Sequence, residues 1–165
     1  MPRVRDAVAA AMVAAALGMP SLALADDPPL VAVGAGDIDF DHKEPAAELR
    51  AEYRFQQGFF FIKPTVGAFG TSRRSVYVYG GLRADLIFFD HYVLMPNAAV
   101  GYFDRGNGKD LGSHIEFKTG AEFAWRFDNA ARLGLAFDHI SNAGITKRNP
   151  GTEQLLLMLS WPLNW

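Results

Sequence analysis

The chain has 165 residues, half of them hydrophobic, and a mean hydropathy of +0.03. That suits one domain, intermediate in polarity between a soluble protein and a helical membrane protein. Its 16 basic and 18 acidic residues leave a net charge of -2, and no Lys/Arg cluster alternates with stacking aromatics, which argues against nucleic acid as a partner. There are no cysteines, so disulfides and thiolate chemistry are excluded.

The first 25 residues read as a cleavable signal peptide. Arg3 and Arg5 begin it, an Ala-rich apolar run extends from Ala7 to Gly18, and Ala23-Leu24-Ala25 supplies a small-x-small cleavage pattern. The apolar run is too short to cross about 30 Å of hydrocarbon comfortably. The mature chain is expected to begin near Asp26, with residues 26–165 forming a single domain.

Beyond that point no stretch has the apolar length of a transmembrane helix, whereas period-two alternation recurs between turn residues. Eight strands are expected, over 30–37, 46–55, 59–69, 74–86, 91–103, 113–127, 131–141 and 153–164. In the second, Ala47, Leu49, Ala51, Tyr53 and Phe55 share one face, and Glu48, Arg50, Glu52 and Arg54 the other. The fourth sets Val76, Val78, Leu82 and Leu86 against Tyr77, Tyr79, Arg83 and Asp85. The sixth sets Ile115, Phe117, Ala121, Phe123, Trp125 and Phe127 against Glu116, Lys118, Glu122 and Arg126.

Connections alternate too. Gln56-Gln57-Gly58, Asp90 and Asp128-Asn129 are tight, whereas Asp37 to Pro45, Asp104 to Gly112 and Asn142 to Thr152 are long. The chain ends on a period-two run of Leu155, Leu157, Leu159, Trp161, Leu163 and Trp165. An even strand count near ten residues each, short turns at one rim, long loops at the other and a terminal aromatic predict an eight-stranded antiparallel transmembrane β-barrel, all-β, in a bacterial outer membrane. Hydrocarbon offers no water to unpaired edges, so the sheet must close. Eight strands leave room only for side chains, and the inward Glu and Arg residues are expected to form a structural ion-pair network.

Strands seven and eight break the pattern at one rim. Leu133, Leu135 and Phe137 share their parity with His139 and Ser141, and Glu153 shares that of Leu155, Leu157 and Trp161. Polar groups on a lipid-facing wall are costly unless paired. If His139 faces Glu153 across the ladder, the three can form a hydrogen-bonded chain: Ser141 as nucleophile, His139 as general base and acid, Glu153 orienting the imidazole. Asn142, the Gly144 N–H and Asn149 lie in the adjoining loop as candidate oxyanion or substrate-positioning groups. His42, His91 and His114 lack metal-ligand spacing, and no cofactor or metal is expected. Arg73, Arg74, Lys147 and Arg148 lie near predicted external loops, as solvated charge or as contacts for lipid phosphates.

The run His139-Ile140-Ser141-Asn142-Ala143-Gly144, followed by Lys147, Asn149-Pro150, Gly151 and Glu153, resembles the active-site segment of the outer-membrane lipid A 3-O-deacylases, the acyloxyacyl hydrolase-like barrels of the PagL family. The resemblance implies hydrolysis, without a metal, of the ester-linked acyl chain at position 3 of lipid A. His139, Ser141 and Glu153 would form the catalytic trio, with Asn142 and Asn149 at the oxyanion site. Lipopolysaccharide in the outer leaflet would be the partner, and a homodimer is left open. Two alternatives are a non-enzymatic barrel with a structural, lipid-binding or partner-binding role, and an acyltransferase barrel. The acyltransferase should hold lipid inside, which the charged inward faces oppose.

Overall fold

The computed structural model describes residues 23–24, 27–39, 44–59 and 61–163. Eight long strands form one antiparallel meander: β1 (Leu30–Ile38), β2 (Ala46–Arg54), β3 (Ile62–Thr71), β4 (Val76–Ala84), β5 (Tyr92–Asp104), β6 (Ile115–Arg126), β7 (Arg132–Ser141) and β8 (Thr152–Pro162). Each pairs with its sequence neighbours, and β8 pairs with β1 from Gln154↔Ile38 to Pro162↔Leu30. The eight long strands therefore close into a barrel, the condition hydrocarbon imposes on a backbone full of donors and acceptors.

Closure fixes the parity of every strand. Leu49, Val78, Phe123, Leu135, Leu157 and Trp161 stand on the outer wall and are exposed, while Glu48, Arg50, Glu52, Arg54, Lys118, Glu122 and Asp138 are buried inside. The alternation seen in the sequence is thus polar-in and apolar-out, the reverse of a soluble sheet.

The lumen is filled in tiers. Nearest the long loops, Phe69, Tyr77, Phe103, Leu111 and Ile140 form an apolar layer. Below it Arg50 donates to Asp138 at 2.5 Å, to Glu48 at 3.0 Å and to Gln154 at 2.9 Å. Gly120 is the ladder partner of Asp138, and a Cβ there would lie 2.2 Å from Asp138 Oδ1, so the glycine clears the carboxylate's seat. In the next tier Arg54 bridges Glu52 at 2.8 Å and Glu122 at 2.5 Å, and Tyr79 donates to Glu52 at 2.6 Å. A cavity of about 20 Å³ remains among Arg50, Arg54, Glu122 and Asp138, too small for an acyl chain. Glu48, Arg50, Glu52, Arg54, Lys118, Glu122 and Asp138 form the expected ion-pair network, which Glu116, buried with neither carboxylate oxygen hydrogen-bonded among the described residues, does not join.

The last tier lies at the short-turn rim. Asp85 accepts from Arg83 and Arg132 and lies 3.6 Å from Lys63. The expected continuous strand over 74–86 is interrupted there: Asp85 stands between β4 and the segment Leu86–Phe88, which continues along β5. Asp27 also enters this tier, accepting from Arg126 at 2.6 Å and from Arg132 at 2.6 Å. The expected alternation of connection lengths has two exceptions: at the long-loop rim β3 and β4 are joined by residues 72–75 alone, and at the short-turn rim β2 and β3 are joined by residues 55–61, as many as the 39–45 that join β1 and β2. His42, most of the expected signal peptide, Asn164 and the terminal Trp165 lie outside the described residues.

Two predictions follow from the lumen. Removing one member of a buried ion pair leaves its partners uncompensated, so Asp138→Ala should cost about 3–5 kcal/mol, measured by urea unfolding in detergent micelles. Burial alone would raise the Asp27 carboxyl, but hydrogen bonds from Arg126 and Arg132 outweigh it and hold it below the ordinary carboxylate range. A depressed acid stabilises the fold fully above its unfolded value, about 3.9, and that contribution vanishes as pH falls through the folded value. Asp27→Asn should therefore unfold at lower urea than wild type at pH 7, and the gap should close on acidification below about 4.

Candidate active site

The polar break in the outer wall occurs where β7 ends and β8 begins, at the long-loop rim. Leu133, Leu135 and Phe137 precede it on β7, and Leu155, Leu157 and Leu159 continue from it on β8, all exposed. The β7–β8 register pairs His139 with Glu153, and their side chains meet, His139 Nδ1 to Glu153 Oε1 at 3.1 Å. An ionised carboxylate only accepts, so this contact places the imidazole proton on Nδ1 and leaves a lone pair on Nε2. The His139 side chain is 43% exposed and that of Glu153 26%. The pair is thus open to the lipid side while the carboxylate is partly shielded.

Ser141 follows on the same face of β7, about 6.6 Å further along the strand, and is half-buried. Among the described residues its hydroxyl makes no hydrogen bond. On the other flank β6 sets Thr119 opposite His139 and Phe117 opposite Ser141. The sequence puts Phe117 on the apolar face but sets neither residue beside the site; the signal for that is register, which one strand's pattern does not contain.

The loop over 142–151 is organised by Asn142. Parity turns it inward, and it is fully buried. Its amide nitrogen reaches Leu111 O at 3.0 Å, Thr146 Oγ1 at 3.0 Å and Arg148 O at 2.8 Å, while its Oδ1 accepts from Gly144 N at 3.0 Å. Its backbone N–H donates to Asn149 Oδ1 at 3.0 Å. The side chain of Asn142 and the Gly144 N–H are therefore engaged in shaping the loop. Asn149 is exposed and held by its carbonyl oxygen, so its NH₂ faces away from that bond. Ala143, Gly144 and Gly151 all adopt positive φ, 51°, 79° and 63°.

The remaining candidates lie elsewhere. His91 stacks on Trp125 and its Nδ1 meets Arg126 O; His114 stacks on Tyr102 and its Nδ1 meets Phe103 O. Arg148 pairs with Asp110 at 3.1 Å, Arg73 lies 3.9 Å from Glu44, Arg74 holds a φ of 62°, and Lys147 is exposed. All four basic residues belong to the long-loop rim.

Among solved structures the chain is similar to the outer membrane enzyme PagL, at 16% identity and a TM-score of 0.63 over 81% of this chain and 99% of that one. It is also similar to a de novo designed transmembrane β-barrel, at 13% identity and a TM-score of 0.57 over 81% of this chain and 92% of that one. Both likenesses concern the fold. No curated protein sequence matches the chain. The family model for lipid A 3-O-deacylase (PagL) matches residues 45–162, more than two thirds of the chain and the whole of the site. The chain belongs to the PagL family of lipid A 3-O-deacylases, a family of ester hydrolases.

Proposed function

We propose that this chain, freed of residues 1–25 on export and resident in the outer membrane as a barrel of residues 26–165, hydrolyses the ester-linked 3-hydroxyacyl chain at position 3 of lipid A. The observation that carries the reading is the 3.1 Å contact between His139 and Glu153 on a wall otherwise built of Leu and Phe, with Ser141 next on the same face. Membership of the family supplies the substrate class.

In this mechanism Ser141 Oγ attacks the acyl carbonyl as its proton passes to Nε2 of His139, and Glu153 stabilises the imidazolium through Nδ1. The tetrahedral intermediate collapses, the C–O bond to the sugar breaks, and His139 returns the proton to the departing alkoxide. A water then attacks the acyl-serine with His139 again as base, releasing the hydroxy fatty acid and restoring Ser141. Hydrogen bonds between a nucleophile and its base are commonly long before substrate binds and shorten in the Michaelis complex. The Asn149 NH₂ serves the oxyanion. Asn142 positions it by holding Asn149 Oδ1, and Gly144 N–H in turn holds the Asn142 side chain. The ester reaches the site by lateral diffusion along the wall, because the lumen is filled.

Mass spectrometry of lipid A from cells expressing matched levels of wild type, Ser141→Ala and His139→Asn tests the proposal. Wild type alone should remove one primary hydroxyacyl group, with each variant down by about 10⁶-fold in purified assays. Identical lipid A in all three would leave a barrel without this activity. For the oxyanion role, Asn149→Asp keeps an acceptor for the Asn142 N–H and removes the donor. It should lower kcat by about 10²–10³-fold with the barrel still folded.

A further inference from the structure

Gly151 carries a signal that side-chain patterning does not reveal. The β7–β8 ladder ends at Thr152↔Ile140, so Gly151 stands one step beyond, abreast of Ser141. Its φ is 63°, and a Cβ built on it would lie 2.7 Å from His139 Cε1 and 3.1 Å from His139 Nε2. Carbon atoms pack at about 3.5–4.0 Å, so the first of these contacts is forbidden. Gly144, in the same loop with a φ of 79°, has nothing within 4 Å of such a Cβ. The crowding at Gly151 therefore comes from the imidazole and does not accompany every left-handed residue of the loop.

We infer that Gly151 is a positioning residue for His139: its bare α-carbon is the seat for the Cε1–Nε2 edge of the ring. Glu153 holds the opposite edge through Nδ1. A methyl group at 151 displaces the ring, and the ring has two ways to yield. It swings off Glu153, or it turns Nε2 away from Ser141. Either change misplaces the atom that takes the serine proton, and a shift of about 1 Å at such a group costs on the order of 10²-fold in rate. This inference rests on the proposed Ser141–His139–Glu153 mechanism.

The test uses the purified full chain in detergent, with two readouts. On lipid A, Gly151→Ala should lower kcat about 10–100-fold with KM within about twofold of wild type, since substrate binding along the wall is untouched. In urea unfolding, the destabilisation caused by Gly151→Ala should shrink in a His139→Ala background, because the clash disappears with the ring and only backbone strain remains. If Gly151→Ala alone does not fold, folding of the Gly151→Ala/His139→Ala double variant supports the inference, and failure of both overturns it. Wild-type kcat in folded Gly151→Ala, or strictly additive destabilisation, also overturns it. Wild-type turnover by Ser141→Ala would instead overturn the proposed mechanism, and the stability coupling between residues 139 and 151 would survive that result.

Discussion

Every backbone N–H and C=O of this sheet must find its partner within the sheet, and the pairing of β8 with β1 is what makes that possible. Once the ring is closed, no strand can slip by one residue without sending its apolar face inward and its charges into lipid. Buried ion pairs such as Arg50–Asp138 and Arg54–Glu122 gain little over well-packed apolar residues in net energy. Their contribution is to register. A lumen of Leu and Val would make the two faces of each strand alike, whereas a charged lumen leaves one alignment that pairs its charges.

The same parity assembles the site. His139 and Ser141 share a face because they are two residues apart on β7, and Glu153 meets the imidazole because β8 is antiparallel and in register. A carboxylate and an imidazole on an apolar wall are tolerable because each satisfies the other. The rim supplies the rest: residues beyond β7 escape the ladder, and Asn142 replaces it as organiser by tying the loop to Leu111 and to its own far side at Arg148. The proposed chemistry thus needs no internal pocket. The scaffold fixes two strands, and in the proposed mechanism one loop completes the oxyanion side.

Much of this was legible in the sequence because period two is a direct image of a two-sided wall. Ala47 to Phe55 against Glu48 to Arg54 declares inside and outside without any structure, and the polar break at His139, Ser141 and Glu153 stands out only against that background. What was not legible depends on contacts between distant strands. At the interruption Arg83, Lys63 and Arg132 converge on the Asp85 carboxylate, and nothing local in the strand signals that. Likewise, Asn142 and Asn149 are interchangeable as loop asparagines until burial assigns one to the loop's interior and leaves the other exposed. Gly151 has no side chain to register in any pattern; its meaning comes from the ring beside it.

In the proposed mechanism a serine on the lipid-facing wall is made nucleophilic by the imidazole beside it. A long-chain alkyl fluorophosphonate delivered from mixed micelles, followed by peptide mass spectrometry, measures that reactivity at the residue itself. One adduct is expected, on Ser141, at wild-type rates only while His139 is present, and reduced in Glu153→Gln. Labelling of another residue, or equal labelling of Ser141 in His139→Asn, would contradict it.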